Sequence, residues 1–178
     1  MVPRRLLLIA SGLALIGVLV GSPSEAATCQ ERDWAPASKS HKRIIAGTVV
    51  NGDIDARTLT AAIEVLPHRP KRIVVVETKE LPLTKEPQLR RLDAFVLCGS
   101  SIIYLRRQGA TLVAAEYSGG PYVLMLAVVI WHEVAHTEGL DERQAQQREE
   151  ELWTDFTRRG LVDSVVGLTY LLELRRRR

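Results

Sequence analysis

The 178-residue sequence is poor in cysteine, methionine and phenylalanine, with two of each. Two thiols, Cys29 and Cys98, can build neither a disulfide-framework miniprotein nor a four-cysteine zinc module. Aromatic residues make up only 5% of the chain, none of them in a stripe interleaved with basic side chains. With a formal charge of only +3, nucleic acid is not an expected partner. No unit recurs along the chain, which excludes collagen, coiled-coil and repeat architectures. What remains is ordinary globular composition, 46% hydrophobic and 25% charged, at a length that suits one domain.

One long hydrophobic run stands at the N-terminus. Arg4 and Arg5 precede an apolar stretch, Leu6 to Val20, and Gly21-Ser22-Pro23-Ser24-Glu25-Ala26 ends it in small residues. This is the grammar of a signal peptide over 1–26, cleaved after Ala26, with a single domain over 27–178. As a helix the apolar stretch spans about 22 Å, short of a hydrocarbon core of roughly 30 Å. The expectation is a secreted or periplasmic protein that meets the membrane only in transit, or stays anchored by this segment if it is not cleaved. An oxidising compartment makes a Cys29–Cys98 disulfide the expected state of the two thiols.

After a polar lead-in, Arg43 to Val50 reads as one short strand ended by Asn51-Gly52. Asp55 caps an expected helix that Pro67 stops, and Arg72 to Glu77 is a β-branched strand of buried type. Ala94–Cys98 and Ile102–Arg106 form an expected hairpin about Gly99-Ser100-Ser101, while Ala110 to Tyr117 fits helix or strand. Gly119-Gly120-Pro121 then opens a helix from Tyr122 to Glu138 whose first ten residues are apolar on every side. So short an apolar stretch cannot cross a bilayer, so it predicts a core helix. Gly139 closes it, Asp141 caps a helix over Glu142–Arg158, and a last helix runs from Leu161 to Leu174. Short strands first and helices after define an α+β class: a small sheet, one buried helix and C-terminal helices.

The buried helix carries His132-Glu133-Val134-Ala135-His136, an H-E-x-x-H pattern. Histidines four residues apart share one helix face with Cβ atoms roughly 5–6 Å apart, so both rings can reach one ion. Glu133 projects to the side where a coordinated water would sit, as a general base toward it and a proton donor to a leaving amine. Chance produces this pattern in well under about 1% of chains of this length. Two imidazoles and a carboxylate on so apolar a helix are also costly without partners.

Catalytic zinc sites take three protein ligands and leave a fourth position for water. His41 and His68 sit in loop-like contexts. The turn Gly139-Leu140-Asp141 folds the second helix back toward His136 and brings Glu142 near, and small Ala145 lets the helices approach. Glu149, seven residues on, is either the third ligand or a carboxylate holding a histidine N–H from outside.

H-E-x-x-H followed by Glu142-Arg143-Gln144-Ala145 resembles the gluzincin group of zincin metallopeptidases, in which E-x-x-A lies on the next helix. The run His132 to Glu142 also approaches the metzincin pattern, but both Met1 and Met125 precede the motif, so no methionine turn follows it. The resemblance spans roughly residues 100–160. It implies a minimal zincin-like domain with zinc on His132, His136 and Glu142 and with Glu133 as base. It further implies an edge strand that binds extended substrate, for which Ile102–Arg106 is the candidate, and an oxyanion donor among Tyr104, Tyr117 and Tyr122. The expected function is an exported zinc-dependent peptidase acting on peptide or protein substrates. The alternative is a non-catalytic exported zinc-binding or interaction domain of the same fold.

Overall fold

The computed structural model describes residues 42–81, 86–97 and 99–176. The N-terminal segment over 1–26, Cys29 and Cys98 lie outside the described residues. The fold is α+β, a five-stranded mixed sheet with helices.

Strands β1 (Lys42–Ile45) and β2 (Thr48–Asn51) form an antiparallel hairpin. The single strand expected over Arg43–Val50 is therefore two, broken at Ala46-Gly47, where both residues take positive φ. Alanine is not a usual turn former, and the apolar run continues through it, so the local pattern hides the break. Helix α1 (Ala56–Glu64) follows, with the Asp55 carboxylate accepting from the Thr58 N–H as its cap. Strand β3 (Arg72–Val76) lies parallel to β2. A 3-10 turn at Thr78–Glu80 and the short helix α2 (Glu86–Leu89) lead to β4 (Ala94–Val96), which pairs antiparallel with β5 (Ile102–Arg106) as the expected hairpin.

The strand order is β1-β2-β3-β5-β4. β5 is thus interior, paired with β3 on one side and β4 on the other, and has no free edge for a substrate strand. Among the described residues the edges are β1 and β4. An apolar strand reads alike at an edge and one place in from it, because pairing partners are remote in sequence.

Two apolar clusters cover the two faces of the sheet. Ile73, Val75, Ile103 and Leu105 pack with α1 and the long helix α4 (Pro121–Thr137), while Val74, Val76, Phe95 and Tyr104 pack with Leu81, Leu89 and Leu97. β3 is covered on both faces, which explains its unbroken Ile-Val-Val-Val run. Ala110–Tyr117 resolves as helix, within α3 (Ala110–Ser118). Pro121 occupies the first turn of α4, where its missing N–H is no loss. α4 is apolar on all sides because α1, α3, α5, β4 and β5 all touch it.

Helix α5 (Glu142–Arg158) returns along α4, and α6 (Ser164–Arg176) packs on α5. Gly167 sets that approach: a Cβ there would lie 2.5 Å from the Thr157 Oγ1. Its carbonyl accepts the Trp153 indole N–H at 2.9 Å. Trp131 and Trp153 are both buried. Among the described residues no helix is long and apolar enough to cross a membrane.

Candidate metal centre

The site is built by one tight turn. Gly139 takes φ 85°, a conformation that side chains disfavour, and lets the chain reverse after α4. The Leu140 N–H donates to the Ala135 carbonyl, and Asp141 and Gln144 cap α5 reciprocally through a capping box. This fixes Glu142 in the first turn of α5, opposite the last turn of α4. Ala145 is fully buried between the helices, small enough for close approach.

His132 and His136 turn their Nε2 atoms toward each other at 3.1 Å. Oε2 of Glu142 stands 3.5 Å from the first and 3.3 Å from the second. Ligand atoms about 2.0–2.1 Å from a tetrahedral ion stand roughly 3.3–3.4 Å from one another, close to these three separations. Among the described residues this is the one such group of three side chains whose donor atoms converge, and it could hold a metal ion.

The outer nitrogens decide whether the donor set fits a cation. Nδ1 of His136 lies 3.0 Å from the Leu140 carbonyl, which only accepts, so that nitrogen carries a proton. Nδ1 of His132 lies 3.1 Å from Oε2 of Glu149 and donates to it likewise. In the neutral rings both Nε2 atoms then present lone pairs, and they meet the ionised Glu142. Three acceptors with no donor between them repel one another unless a cation joins them. The residues fit a divalent metal. Of the two carboxylates left open by the spacing, Glu142 stands at the Nε2 pair and Glu149 stands behind His132, where it orients the ring.

Without metal a proton serves instead. Burial pulls the His132 imidazolium down, but hydrogen bonds to Glu142 and Glu149 outweigh it and hold its pKa at about 10. The hydrogen bond to Glu142 raises His136 against its partial burial. Hydrogen bonds from both rings hold Glu142 well below the usual carboxylate range. A metal must therefore displace protons. Uptake of zinc near pH 7 is expected to release roughly one proton or more. Calorimetry in buffers of different ionisation enthalpy reads that number, and a value of zero contradicts the assigned hydrogen bonds.

Glu133 is buried, and among the described residues nothing hydrogen-bonds or ion-pairs its carboxylate. Burial pushes its pKa up to about 7, against the pull of His132 and His136. A mostly buried carboxyl group pushed toward neutral pH beside two histidines is a candidate functional position.

The three tyrosines expected as oxyanion donors are not brought to the cluster. Ile103 and Leu105 face α4, so Tyr104, between them, faces the other side of the sheet, stacked on Phe95 at 5.2 Å. Tyr117 is 88% exposed near the end of α3. Tyr122 sits in the first turn of α4, about 15 Å along the axis from His132. A different tyrosine is present: the Tyr170 hydroxyl on α6 donates to Oε1 of Glu149 at 3.3 Å, and its ring packs on Trp153 at 4.4 Å. Its one sequence signal is the spacing Val166-Gly167-Tyr170-Leu174, the face of α6 turned to α5. On the far side of the turn, Glu138 pairs with Arg148, whose guanidinium lies over Trp131 at 5.6 Å.

Comparison of the chain with protein-family models, curated proteins and solved structures returns no match. The functional reading therefore rests on the residues themselves.

Proposed function

We propose that the chain is an exported zinc-dependent peptidase of zincin type, with zinc on His132, His136 and Glu142 and with Glu133 as general base. The observation that carries this reading is the trio of Nε2, Nε2 and Oε2 at tetrahedral spacing, with the mostly buried Glu133 next to His132 on the same helix. Two imidazoles and one carboxylate suit zinc, and three protein ligands rather than four leave a position open for chemistry. His136 and Glu142 keep part of their surface in solvent, so water and substrate have a side from which to enter.

Zinc bound there supplies a water of lowered pKa, toward about 7, and polarises a substrate carbonyl. The chain's own residues do the rest. Glu149 and the Leu140 carbonyl hold the two rings in the tautomer that directs Nε2 inward. Tyr170 steadies Glu149. Glu133, next to the first ligand on the same helix, accepts the proton of the attacking water and returns it to the leaving amine. Rigid anchoring of α4 in the core keeps the histidines from spreading. Export places the peptide substrate outside the cytoplasm.

A domain that holds zinc without turnover is the second reading. Its support is the position of Tyr104, on the sheet face away from α4, and of Tyr122, about 15 Å along α4 from His132. Hydrolysis of a peptide library by zinc-loaded protein, beside Glu133→Gln, separates the two. Turnover that the substitution removes supports the peptidase. Full zinc occupancy with no turnover by the unmodified chain supports the binding domain.

A further inference from the structure

Helix α6 is apolar on two opposite faces, and among the described residues the fold covers only one of them. Val166, Gly167, Tyr170 and Leu174 turn inward. Val165, Leu168 and Leu172 turn outward, 73%, 59% and 48% exposed, and Leu161 just ahead of the helix is 45% exposed. Within the helix, the spacing of three and four residues aligns Val165, Leu168 and Leu172 in one stripe. Contiguous apolar surface of this kind marks an interaction site.

The charges around the stripe say what covers it. Arg158 and Arg159 stand at the turn before it, and the run Arg175 to Arg178 follows it. Arg158 and Arg159 pair with Asp155, Arg175 with Glu150 and Arg176 with Glu173. The four arginine side chains are all more than half exposed, so these pairs are weak and open to exchange. Asp163 and Glu173 are the acidic residues in the segment 161–178, against four arginines. A second copy laid on the same stripe, parallel or antiparallel, would bring arginines against arginines. A surface rich in phosphate would not.

We propose that α6 docks on the surface of an anionic lipid bilayer, its outer stripe entering the headgroup boundary and the arginines at its ends meeting lipid phosphates. Its thirteen residues reach about 20 Å, too short to cross, so the helix lies in the interface plane. This docking is independent of the peptidase reading.

The test places a reporter in the stripe of the mature chain, residues 27–178, so that the apolar run over residues 6–20 does not itself carry the protein to the vesicle. Leu168→Trp adds emission that the otherwise unmodified mature chain, with Trp34, Trp131 and Trp153, calibrates. On vesicles of phosphatidylglycerol and phosphatidylcholine with brominated acyl chains, the added emission is expected to shift to the blue and lose roughly half its intensity or more. Adding Arg176→Gln, Arg177→Gln and Arg178→Gln is expected to raise the lipid needed for half that quenching by at least about tenfold. Absent quenching overturns the proposal, as does equal quenching on phosphatidylcholine alone or no effect of the arginine changes. A blue shift without lipid that follows protein concentration, with a doubled mass in light scattering, assigns the stripe to a second copy and overturns it too.

Discussion

Glu133→Gln keeps the zinc and lowers peptide hydrolysis by about 10²–10⁴-fold, the usual contribution of a positioned general base. Glutamine has the shape of glutamate but takes up no proton, and His132, His136 and Glu142 stay as they are. A second effect of opposite sign accompanies the loss. The Glu133 carboxyl has a folded pKa of about 7 against an ordinary value of 4.5, so it favours the fold fully below the lower value. That contribution disappears as pH rises through about 7, and the ionised form then opposes folding. Metal-free Glu133→Gln is therefore expected to be more stable than the unmodified chain by roughly 2–3 kcal/mol at about pH 9, with no difference at about pH 4. Urea unfolding in chelator measures this. A functional group kept at the expense of stability behaves in this way. Unchanged hydrolysis would remove Glu133 from the mechanism, and a less stable variant at alkaline pH would mean that its carboxylate is paired.

Glu142→Ala and Glu149→Ala are expected to differ widely in metal affinity. Glu149 touches only the outer nitrogen of His132, and removing such a carboxylate costs about 10–100-fold. Glu142 supplies an atom to the centre itself, and its loss leaves two imidazoles to hold the ion. The expected cost exceeds about 100-fold. Competition with a chromophoric chelator reads both values on one scale. A larger loss for Glu149→Ala would exchange the two roles and make Glu149 the third ligand.

The helix–turn–helix that builds the centre was legible because its determinants are local. His132 and His136 share a face through helical spacing, and Gly139 and Asp141 mark the turn. Together they set Glu142 opposite the pair. The long apolar start of α4 likewise announced a helix surrounded by protein. What could not be read was remote. Whether β5 is an edge depends on β3 and β4 choosing its two sides, and nothing within Ile102–Arg106 records that choice. The side chosen by Tyr104 follows from Ile103 and Leu105 facing α4, a fact of packing. Tyr170 reaches Glu149 only because Gly167 lets α6 settle against Thr157, a contact between helices. The break in the first strand at Ala46-Gly47 failed for another reason: alanine at positive φ is held there by the hairpin and not by its own preference.

The central claim is that His132, His136 and Glu142 converge on one cation. Anomalous diffraction at the zinc edge, from crystals of the zinc-loaded chain, tests it most directly. The expected result is a single peak about 2.0–2.1 Å from both Nε2 atoms and from a Glu142 oxygen, with Glu149 still on Nδ1 of His132. A peak elsewhere, or two rings still facing each other with no metal between them, would contradict it.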